Sequence, residues 1–510
     1  MANTLNLGSG NWGAKESLLL GYYENGKKFF PETFDVTRAT GGTRVNKDGL
    51  IETPAEIGSE EITNGDFATD TDWTYGTDWT ISNGVASASG SAFSSLSPTT
   101  LISVSAGVTY KITFDLNYTS GALRTKIGGT QTGYLGYNVG NNFVEIFLTA
   151  VNTTNFSLIS ANLNGSIDNV SVKEYNDKNL ARIDYLDDAK GALLTEPQST
   201  NLVTYSQDFS DSSWDKDSGI IVSSSNNVSP SGLKDATEIS VSNNGRIYIN
   251  LSSANYTGSI FIKKGTFAYF KFSGVNIDLI AKTTSNANAN LTEMSNGWFR
   301  IAYNIGSSSR PIQVQAYPDN TYSAHSDSGN YYIWGAQAEI LPYATSIIPT
   351  SGSTVTRNAD QVNGAGDATT FNDSEGVLMI EFALQKGDDE IRQFSLSNGS
   401  DVENVKILQL SGSTIRFEVK MSSGINFIED VLIDAETNNK YLIQYKANDY
   451  KVFVNGVKQS VVQRSTTPIG LDRISFDRGD GASDFYGKTK QVQYFNTALT
   501  DAELIKLTTI

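Results

Sequence analysis

One stretch near the C-terminus combines residue types that bind sugars. The segment DRGDGASDFYGK, residues 477–488, contains Arg478, Asp480, Asp484 and Tyr486 among glycines. An aromatic ring can stack on the apolar face of a pyranose, while carboxylates and a guanidinium bind its hydroxyl groups. We therefore predict Tyr486 as the stacking residue and the three charged residues as hydrogen-bonding partners. The alternative interpretation, a turn whose carboxylates only bind backbone groups, fits this pattern equally well.

A second aromatic and acidic stretch, DTDWTYGTDWT, occupies residues 70–80. Its rings lie among aspartates, so Trp73 and Tyr75 are candidate carbohydrate-binding residues. Trp79 begins an alternating segment, and for this residue we favour a position in the core. The aspartates here are also typical turn formers, which leaves the structural interpretation of the whole stretch open.

Several catalytic chemistries are excluded by composition. The chain of 510 residues has no cysteine, so disulfides, zinc–thiolate sites and cysteine nucleophiles are impossible. Its single histidine, His325, lies in the polar stretch TYSAHSDSGNYY, which we interpret as a surface loop. No Walker, HExxH or GxSxG motif occurs. These absences predict a protein that is not an enzyme.

The charge balance also narrows the range of partners. There are 55 acidic and 38 basic residues, giving a formal net charge of −17. Such a chain lacks the basic surface that binds phosphates, so we expect no nucleic-acid partner. No run approaches about 18 apolar residues, and the N-terminus has no basic region before its short apolar run. We expect neither a signal peptide nor a membrane partner.

The elements that must position these residues are almost all strands. Apolar and polar residues alternate in segments such as 107–118 and 439–457, and Gly, Asn and Ser mark frequent turns between them. One segment, TDAELIKLTT at 500–509, is helical, with Thr500 and Glu503 forming a capping box. The fold class is therefore all-β, made of serial β-sandwiches with a short C-terminal helix.

An internal repeat of architecture indicates two of these sandwiches. Phe67 is followed by Trp73, and Phe209 by Trp214, each pair after an acidic residue and before a series of strands. We predict that each phenylalanine anchors a core and that each tryptophan closes one end of a sandwich.

The domain boundaries follow from these openings and from composition. Two jelly-roll-like sandwiches are predicted at 57–175 and 200–350. The Ser-, Thr- and Gly-rich segment 351–371 is predicted to be a linker. A third, different sandwich follows at 372–510.

Three sets of residues carry family resemblances. NGDF and the closing IDNVSV of the first sandwich resemble carbohydrate-binding jelly rolls of the galactose-binding-like type. TNLVTYSQDF, GWFRIAY and IPTSGSTVTRNADQV resemble a module frequent in virion proteins of tailed bacteriophages. YKVFVNGVKQ and DFYGKTKQVQYFNTALTDAEL resemble a concanavalin A-like, laminin-G-like sandwich.

The phage resemblance extends to the N-terminal part. FDVTRATGGTRVNKDGLIETP at 34–54 and ARIDYLDDAKGALLTEPQSTNL at 181–202 resemble two halves of one segment that is often continuous in such proteins. We therefore predict a split N-terminal docking segment, 1–56 continued at 176–199, with the first sandwich inserted into it. The alternative is two unrelated linkers.

The resemblances also imply candidate calcium ligands and a strand on which catalytic glutamates would be expected. Galactose-binding-like jelly rolls often hold a structural calcium, for which Asp66 and Asp168 are the candidate ligands. Retaining glucanases on concanavalin A-like sandwiches place two glutamates around an aspartate on one strand. In VLIDAE the corresponding residues are Leu432, Asp434 and Glu436, so the first carboxylate is missing.

Together the resemblances imply a tail fibre or adhesin of a tailed bacteriophage that binds host surface polysaccharide without catalysis. A head or neck fibre with a structural role is the alternative, and a surface glycosidase is the weaker one. Assembly into a virion, as a homotrimer with other virion proteins, is expected. The apolar run Leu18–Leu20 with Tyr22 and Tyr23 is the predicted docking surface, or else a short buried strand, and deletion of residues 1–50 should leave the C-terminal sandwich folded.

Overall fold

The computed structural model describes residues 5–8, 12–15, 18–23, 28–90, 92–410 and 413–510, with the backbone alone for 5–7, 13–15, 18–23 and 28–33. Strands make up 51% of the chain and helix 2%. The prediction of an all-β chain built from sandwiches is confirmed. No helix among these residues is both long and apolar enough to cross a membrane.

The chain forms two compact units. Residues 55–177 form one, which we call the insert unit, and residues 1–54 with 178–510 form the other, the main unit. The sandwich predicted at 57–175 lies within the insert unit. Glu56 pairs with Asn176 in antiparallel strands, so the two ends of the insert unit lie side by side.

The main unit begins with short strands, whose bounds are β1 (Leu5–Gly8), β2 (Gly13–Lys15), β3 (Leu18–Tyr23), β4 (Lys28–Thr37), β5 (Arg44–Val45) and β6 (Ile51–Glu52). Strands β2, β3 and β4 pair in sequence, and β5 pairs with β6. The predicted docking surface falls on β3, where the side chains of Leu18–Leu20, Tyr22 and Tyr23 lie outside the described residues.

The insert unit is a sandwich whose strands are β7 (Glu56–Glu60), β8 (Trp73–Tyr75), β9 (Trp79–Ser82), β10 (Val85–Ser89), β11 (Phe93–Pro98), β12 (Thr109–Ile127), β13 (Thr130–Gln131), β14 (Gly140–Thr149) and β15 (Ser157–Asn176). The long strands β12 and β15 pair along most of their length, with register shifts near Ser120. The start of β15 also pairs with β11, its middle with β10 and its end with β7. One core, from Ile62 to Val172, fills the space between the layers.

The two Phe–Trp pairs occupy equivalent places in their sandwiches. The ring centroids are 5.0 Å apart for Phe67 and Trp73 and 4.8 Å apart for Phe209 and Trp214. Each indole N–H donates to a carbonyl nine residues earlier, of Asn64 at 2.8 Å and of Tyr205 at 2.9 Å. All four rings are buried, and for Phe67 and Phe209 this is the core position that the sequence predicted.

The main unit resumes with β16 (Arg182–Asp184), β17 (Ala192–Thr195) and β18 (Ser199–Asn201), followed by the strands of the second sandwich: β19 (Trp214–Lys216), β20 (Ile220–Ser224), β21 (Thr237–Val241), β22 (Arg246–Ile249), β23 (Ala254–Lys264), β24 (Tyr269–Phe272), β25 (Val275–Asp278), β26 (Thr283–Thr284), β27 (Asn290–Glu293), β28 (Trp298–Ser308), β29 (Ile312–Tyr317) and β30 (Gly329–Glu339). A 3-10 turn, Ser295–Gly297, precedes β28. The two sheets have the orders β19-β22-β29-β24-β25-β26 and β20-β21-β30-β23-β28-β27, with an apolar core between them.

The last sandwich contains β31 (Val355–Arg357), β32 (Gln361–Asn363), β33 (Glu375–Leu384), β34 (Arg392–Ser397), β35 (Asn404–Gln409), β36 (Thr414–Met421), β37 (Gly424–Leu432), β38 (Asn439–Lys446), β39 (Tyr450–Val454), β40 (Val457–Val462), β41 (Arg473–Ser475), β42 (Gly487–Phe495) and the helix α1 (Asp501–Thr508). One sheet has the order β16-β17-β42-β33-β38-β39-β40, with β1 along β42, and the other β37-β36-β35-β34-β41. The predicted helix is confirmed: the Glu503 carboxylate accepts the Thr500 backbone N–H at 2.9 Å, and Leu504 packs on the first sheet.

The prediction of a linker at 351–371 needs correction. Strand β31 pairs with β18, and β32 pairs with β4. Val362, Ala365 and Phe371 lie in the core of the last sandwich. The Ser, Thr and Gly content of this segment reflects tight turns between short strands.

The split N-terminal segment belongs to the same core. Phe34 and Val36 of β4 and Ala181, Ile183 and Leu193 around β16 and β17 pack with the residues of the last sandwich. A deletion of residues 1–50 would therefore remove part of that core, and the prediction that it leaves the C-terminal sandwich folded is wrong.

A buried network of charges joins these segments. The Arg182 guanidinium lies 2.7 Å from the Glu196 carboxylate and also bonds Asp360, which in turn lies 2.7 Å from Arg38. Arg357 lies 3.4 Å from Glu196. All five side chains are buried. Because an unpaired buried charge is costly, the network holds the two halves of the split segment and residues 357–360 in one arrangement.

Candidate functional site

The predicted sugar-binding stretch 477–488 divides between the surface and the interior. Arg478 and Asp480 remain partly exposed and pair with each other at 2.7 Å, with Asp401 4.0 Å from the guanidinium. This ion pair raises the pKa of Arg478 and lowers that of Asp480. The two charged groups thus satisfy each other at the edge of the sheet that contains β34 and β35.

The other half of the stretch enters the core. Tyr486 is 6% exposed; its ring is covered by the Arg392 guanidinium, 4.6 Å from the ring centroid, and its hydroxyl donates to Asp484 at 3.1 Å. Burial raises the pKa of both Tyr486 and Asp484. A ring without a free face cannot stack on a sugar, so the prediction of Tyr486 as the stacking residue, with Asp484 beside it, is wrong for this geometry. The backbone turns inward here because Phe485 and Tyr486 lead directly into the central strand β42.

The aromatic residues of 70–80 are also structural. Trp73 is 6% exposed and packs on Phe67, and Trp79 is buried and donates its indole N–H to the Ser94 carbonyl at 3.1 Å. Tyr75 is half-buried against the core, with its hydroxyl donating to Asp70 at 2.8 Å. The core position favoured for Trp79 is confirmed, whereas Trp73 offers no platform to a ligand.

The two candidate calcium ligands have hydrogen-bond partners of their own. Asp66 accepts the Ala68 N–H at 3.4 Å and Asp168 the Asn169 N–H at 2.7 Å. Asp115, opposite Asp168 in the neighbouring strand, accepts the Asn169 side-chain amide at 2.8 Å. Within the described ranges no three Asp, Glu, His or Cys residues converge as metal ligands. These carboxylates do not form a ligand shell, and calcium binding stays a prediction.

The remaining candidates for catalysis do not converge either. Leu432 is 83% exposed at the end of β37, Asp434 accepts the Glu436 N–H at 3.1 Å, and Glu436 accepts the Gly387 N–H at 2.8 Å.

His325 is not the surface residue that its polar neighbours suggested. Its ring packs between Phe267 and Tyr317, and Nε2 lies 2.9 Å from the Ala316 carbonyl oxygen.

An exposed aromatic group in the insert unit was missed by the sequence analysis. Phe93 is 66% exposed and Tyr134 is 39% exposed. Their ring centroids lie 5.6 Å apart in an edge-to-face arrangement, and the Arg124 guanidinium lies 3.8 Å from the Tyr134 centroid. We call these three residues the Phe93 platform. Exposed aromatic rings beside a cation are typical of binding surfaces, because burying them on a ligand is favourable.

Strand register brings the platform together. Phe93 of β11 lies opposite Ala161 of β15, which lies opposite Ala122 of β12, two residues before Arg124. The small side chains between Phe93 and Arg124 leave the rings standing above the sheet. On the other side, Leu123 and Leu135 exchange two backbone hydrogen bonds of 2.9 Å, which fix the loop that carries Tyr134.

The chemistry of the platform suits a flat ligand with an apolar face. Phe93 presents a ring for stacking, and Arg124 supplies donors for hydroxyl or acidic groups. The Arg124 Nε is buried and has no hydrogen-bond partner in the part of the chain that the structure describes. A signal was present in the sequence: Phe93 begins an alternating segment on its polar face, and Tyr134 stands in the Gly-rich loop QTGYLGYNVG.

Comparison with known proteins gives little further information. No family model matches the sequence, and no curated protein matches it. Solved structures that share some likeness include the CBM40 module of Ruminococcus gnavus IT-sialidase bound to alpha2,3 sialyllactose, at 18% identity over 29% of this chain and 94% of that one, with a TM-score of 0.25. A leech intramolecular trans-sialidase, at 18% identity, covers 29% of this chain and 26% of its own, with a TM-score of 0.25. NanB sialidase of Streptococcus pneumoniae, at 18% identity, covers 27% and 24%, with a TM-score of 0.24. Likenesses this weak do not support an argument about function.

Proposed function

We propose that this chain is a non-catalytic glycan-binding protein. The observation that carries the proposal is the Phe93 platform, with two exposed rings and a guanidinium fixed by strand register on a rigid sandwich. Stacking on rings and hydrogen bonds to hydroxyl groups are the interactions that sugars require. On the strand that would carry the glutamates of a retaining glucanase, Leu432 occupies the first carboxylate position, which supports binding over hydrolysis at this strand.

The setting we propose is the virion of a tailed bacteriophage, as a tail fibre or adhesin that meets host surface polysaccharide. The support is the resemblance of residues 34–54, 181–202 and 348–362 to a module of phage virion proteins. Weak individual sites on a homotrimer would gain avidity from several copies. A head or neck fibre is the second candidate, since the same segments would also occur in a fibre attached at the head or neck.

The setting is tested by locating a C-terminal tag on particles by electron microscopy. A tag at the end of the tail supports an adhesin, whereas a tag on the head or neck supports the structural alternative. Docking through the N-terminus is tested with a chain that begins at Lys28, which keeps Phe34, Val36 and Arg38 but removes β1, the partner strand of β42, and Trp12, which packs on the core. This truncated chain should fail to enter particles, and circular dichroism should show that it keeps its strands. A folded truncated chain that still enters particles would contradict docking through the N-terminus.

Glycan binding is tested by replacing the exposed ring. We expect Phe93→Ala to weaken binding of the full chain to an immobilised array of bacterial surface polysaccharides by about tenfold, because the stacking face is lost. The melting temperature should change little, since the ring is outside the core. Phe143→Ala, which removes a 70% exposed ring from another strand of the same unit, is the matched control. Equal binding by the Phe93 variant and the wild type, or release of reducing sugar by the wild type, would contradict the proposal.

A further inference from the structure

A cavity of about 330 Å³ lies in the main unit, distant in sequence from the Phe93 platform. Its walls come from the β5–β6 hairpin, from β16, β17 and the turn between them, from β27 and β28 of the second sandwich, and from residues 344–347 and 383–386. Four carboxylates are among the lining groups: Asp184, Asp187, Glu196 and Glu436. Three of them are paired with cations, Asp184 and Asp187 with Lys488 and Glu196 with Arg182. This volume is at the lower end of the range of small-molecule sites, and it suits one sugar ring or a ligand of similar size.

Arg300 of β28 is the unusual group in the wall. Its Nη2 donates to the Ser259 hydroxyl at 2.9 Å and to the Thr345 carbonyl at 2.7 Å. Its Nε is buried without a hydrogen-bond partner, and none of the carboxylates in the described ranges forms an ion pair with it. Burial lowers the pKa of this guanidinium, and the charges of Glu339 and Glu196 offset only part of that effect.

Two other cations of the wall are already neutralised. Arg44 lies 2.9 Å from Glu52, and Lys488 lies 2.9 Å from Asp184. Arg300 therefore differs from them in lacking an acidic partner.

The two buried carboxylates whose charges act on Arg300 are already hydrogen-bonded to other groups. Glu196 binds Arg182 at 2.7 Å and accepts the Ser346 N–H at 2.7 Å. Glu339 accepts the hydroxyls of Ser199 and Thr345, each at 2.6 Å. Neither can turn to Arg300 without leaving another buried donor unpaired.

The rest of the wall combines polar and apolar surface. Asn290 and Thr292 line the cavity from β27, and Lys386, which is exposed, lines it from the turn after β33. Leu186, half-buried in the wall, supplies apolar area, whereas Phe261 and Met294 behind it are buried, with the Arg300 guanidinium 5.3 Å from the Phe261 ring centroid. A guanidinium, amide and hydroxyl groups, and an apolar wall match a ligand with one carboxylate, several hydroxyls and an apolar face.

We propose that this cavity binds an acidic sugar, with the carboxylate on Arg300, the hydroxyl groups on Asn290 and Thr292, and an apolar face against Leu186. The proposal does not depend on the Phe93 platform, which is in the other unit. It adds a second glycan site. This site would select sugars that carry a negative charge, whereas the Phe93 platform would select sugars with a flat apolar face.

The test is calorimetric titration of the full chain with sodium D-glucuronate, D-glucose and sodium acetate. We expect glucuronate to bind at least about tenfold more tightly than glucose, which lacks the carboxylate, or acetate, which lacks the ring. Arg300→Gln should weaken glucuronate binding at least about tenfold. Arg310→Gln, which changes an arginine of the same sandwich outside the cavity wall, is the matched control and should bind as the wild type does.

A second variant keeps the proposal testable if Arg300→Gln does not fold. Asn290 is exposed, so Asn290→Asp should leave the fold intact while its new charge weakens glucuronate binding several-fold. Equal affinity for glucuronate and glucose, equal affinity for acetate, or unchanged binding by both variants would overturn the proposal. Because Phe93→Ala does not touch this cavity, failure of one site is distinguishable from failure of the other.

Discussion

At the scale of single residues, the buried network around Arg182 is the most consequential arrangement in the main unit. It contains Arg38, Arg182, Arg357, Glu196 and Asp360, all buried. Gly42 lies so close that a Cβ atom there would meet atoms of all three arginines at 3.1–3.2 Å. Such a network tolerates no loss of a single member, because the partner would then be a buried, unpaired charge.

The network predicts a loss of stability in acid. Burial alone would raise the pKa of Glu196, but the charges of Arg182 and Arg357 outweigh it and lower the pKa to about 2 from the ordinary 4.5. A pKa that is lower in the folded than in the unfolded state stabilises the fold at pH values above the unfolded pKa. This stabilisation is lost as the pH falls from about 4.5 to about 2. We expect this carboxylate to contribute about 3 kcal/mol to the free energy of unfolding at neutral pH.

The measurement is the melting temperature between pH 7 and pH 2. Glu196→Gln should be less stable at neutral pH and should lose this part of the acid dependence. Glu52→Gln removes a partly exposed partner of Arg44 and is the control, with an expected change below about 1 kcal/mol. An acid dependence unchanged by Glu196→Gln would contradict the assignment.

At the scale of elements, alternation in the sequence was a reliable guide to strands and a poor guide to exposure. The hairpin at 439–457 and the helix at 501–508 could be predicted because their periodicity and capping are local properties. The burial of Tyr486 could not, because it depends on β42 lying between β17 and β33, both distant in sequence. Phe93 was missed for the same reason: its neighbours on the sheet come from β12 and β15.

Element packing also predicts the behaviour of residues 351–371. If strands β31 and β32 are integral to the main unit, trypsin should not cut after Arg357, which is buried and bonded to the Pro197 carbonyl at 2.8 Å, until the unit unfolds. Arg464, in an exposed segment after β40, should be cut earlier. Mass spectrometry of a limited digest gives the order of cleavage. Early cleavage after Arg357 would restore the interpretation of this segment as a linker.

At the scale of the whole molecule, the two units have separate cores. The core of the insert unit is built entirely from residues 62–172, and that of the main unit's last sandwich includes residues on both sides of the insert in sequence. The core of the main unit's last sandwich is therefore formed without residues of the insert core.

This separation predicts that the main unit survives removal of the insert. A chain in which a short Gly-Ser joint replaces residues 55–177 should unfold within a few degrees of the corresponding transition of the full chain in calorimetry, since no core residue of the main unit is lost. The isolated insert, residues 55–177, should fold and keep the polysaccharide binding that depends on Phe93. Aggregation of the shortened chain, or loss of structure in the isolated insert, would show that the units depend on each other.

The pairing of Glu56 with Asn176 has a further consequence for how such a chain can change over generations. Because both ends of the insert lie side by side, recombination at this junction can replace one sandwich by another in a single step. Any incoming sandwich whose termini lie side by side would fit at this junction. The buried arginines of the main unit's charge network would not be changed. A lineage carrying this chain could thus exchange the whole insert unit while the core of the main unit stays the same.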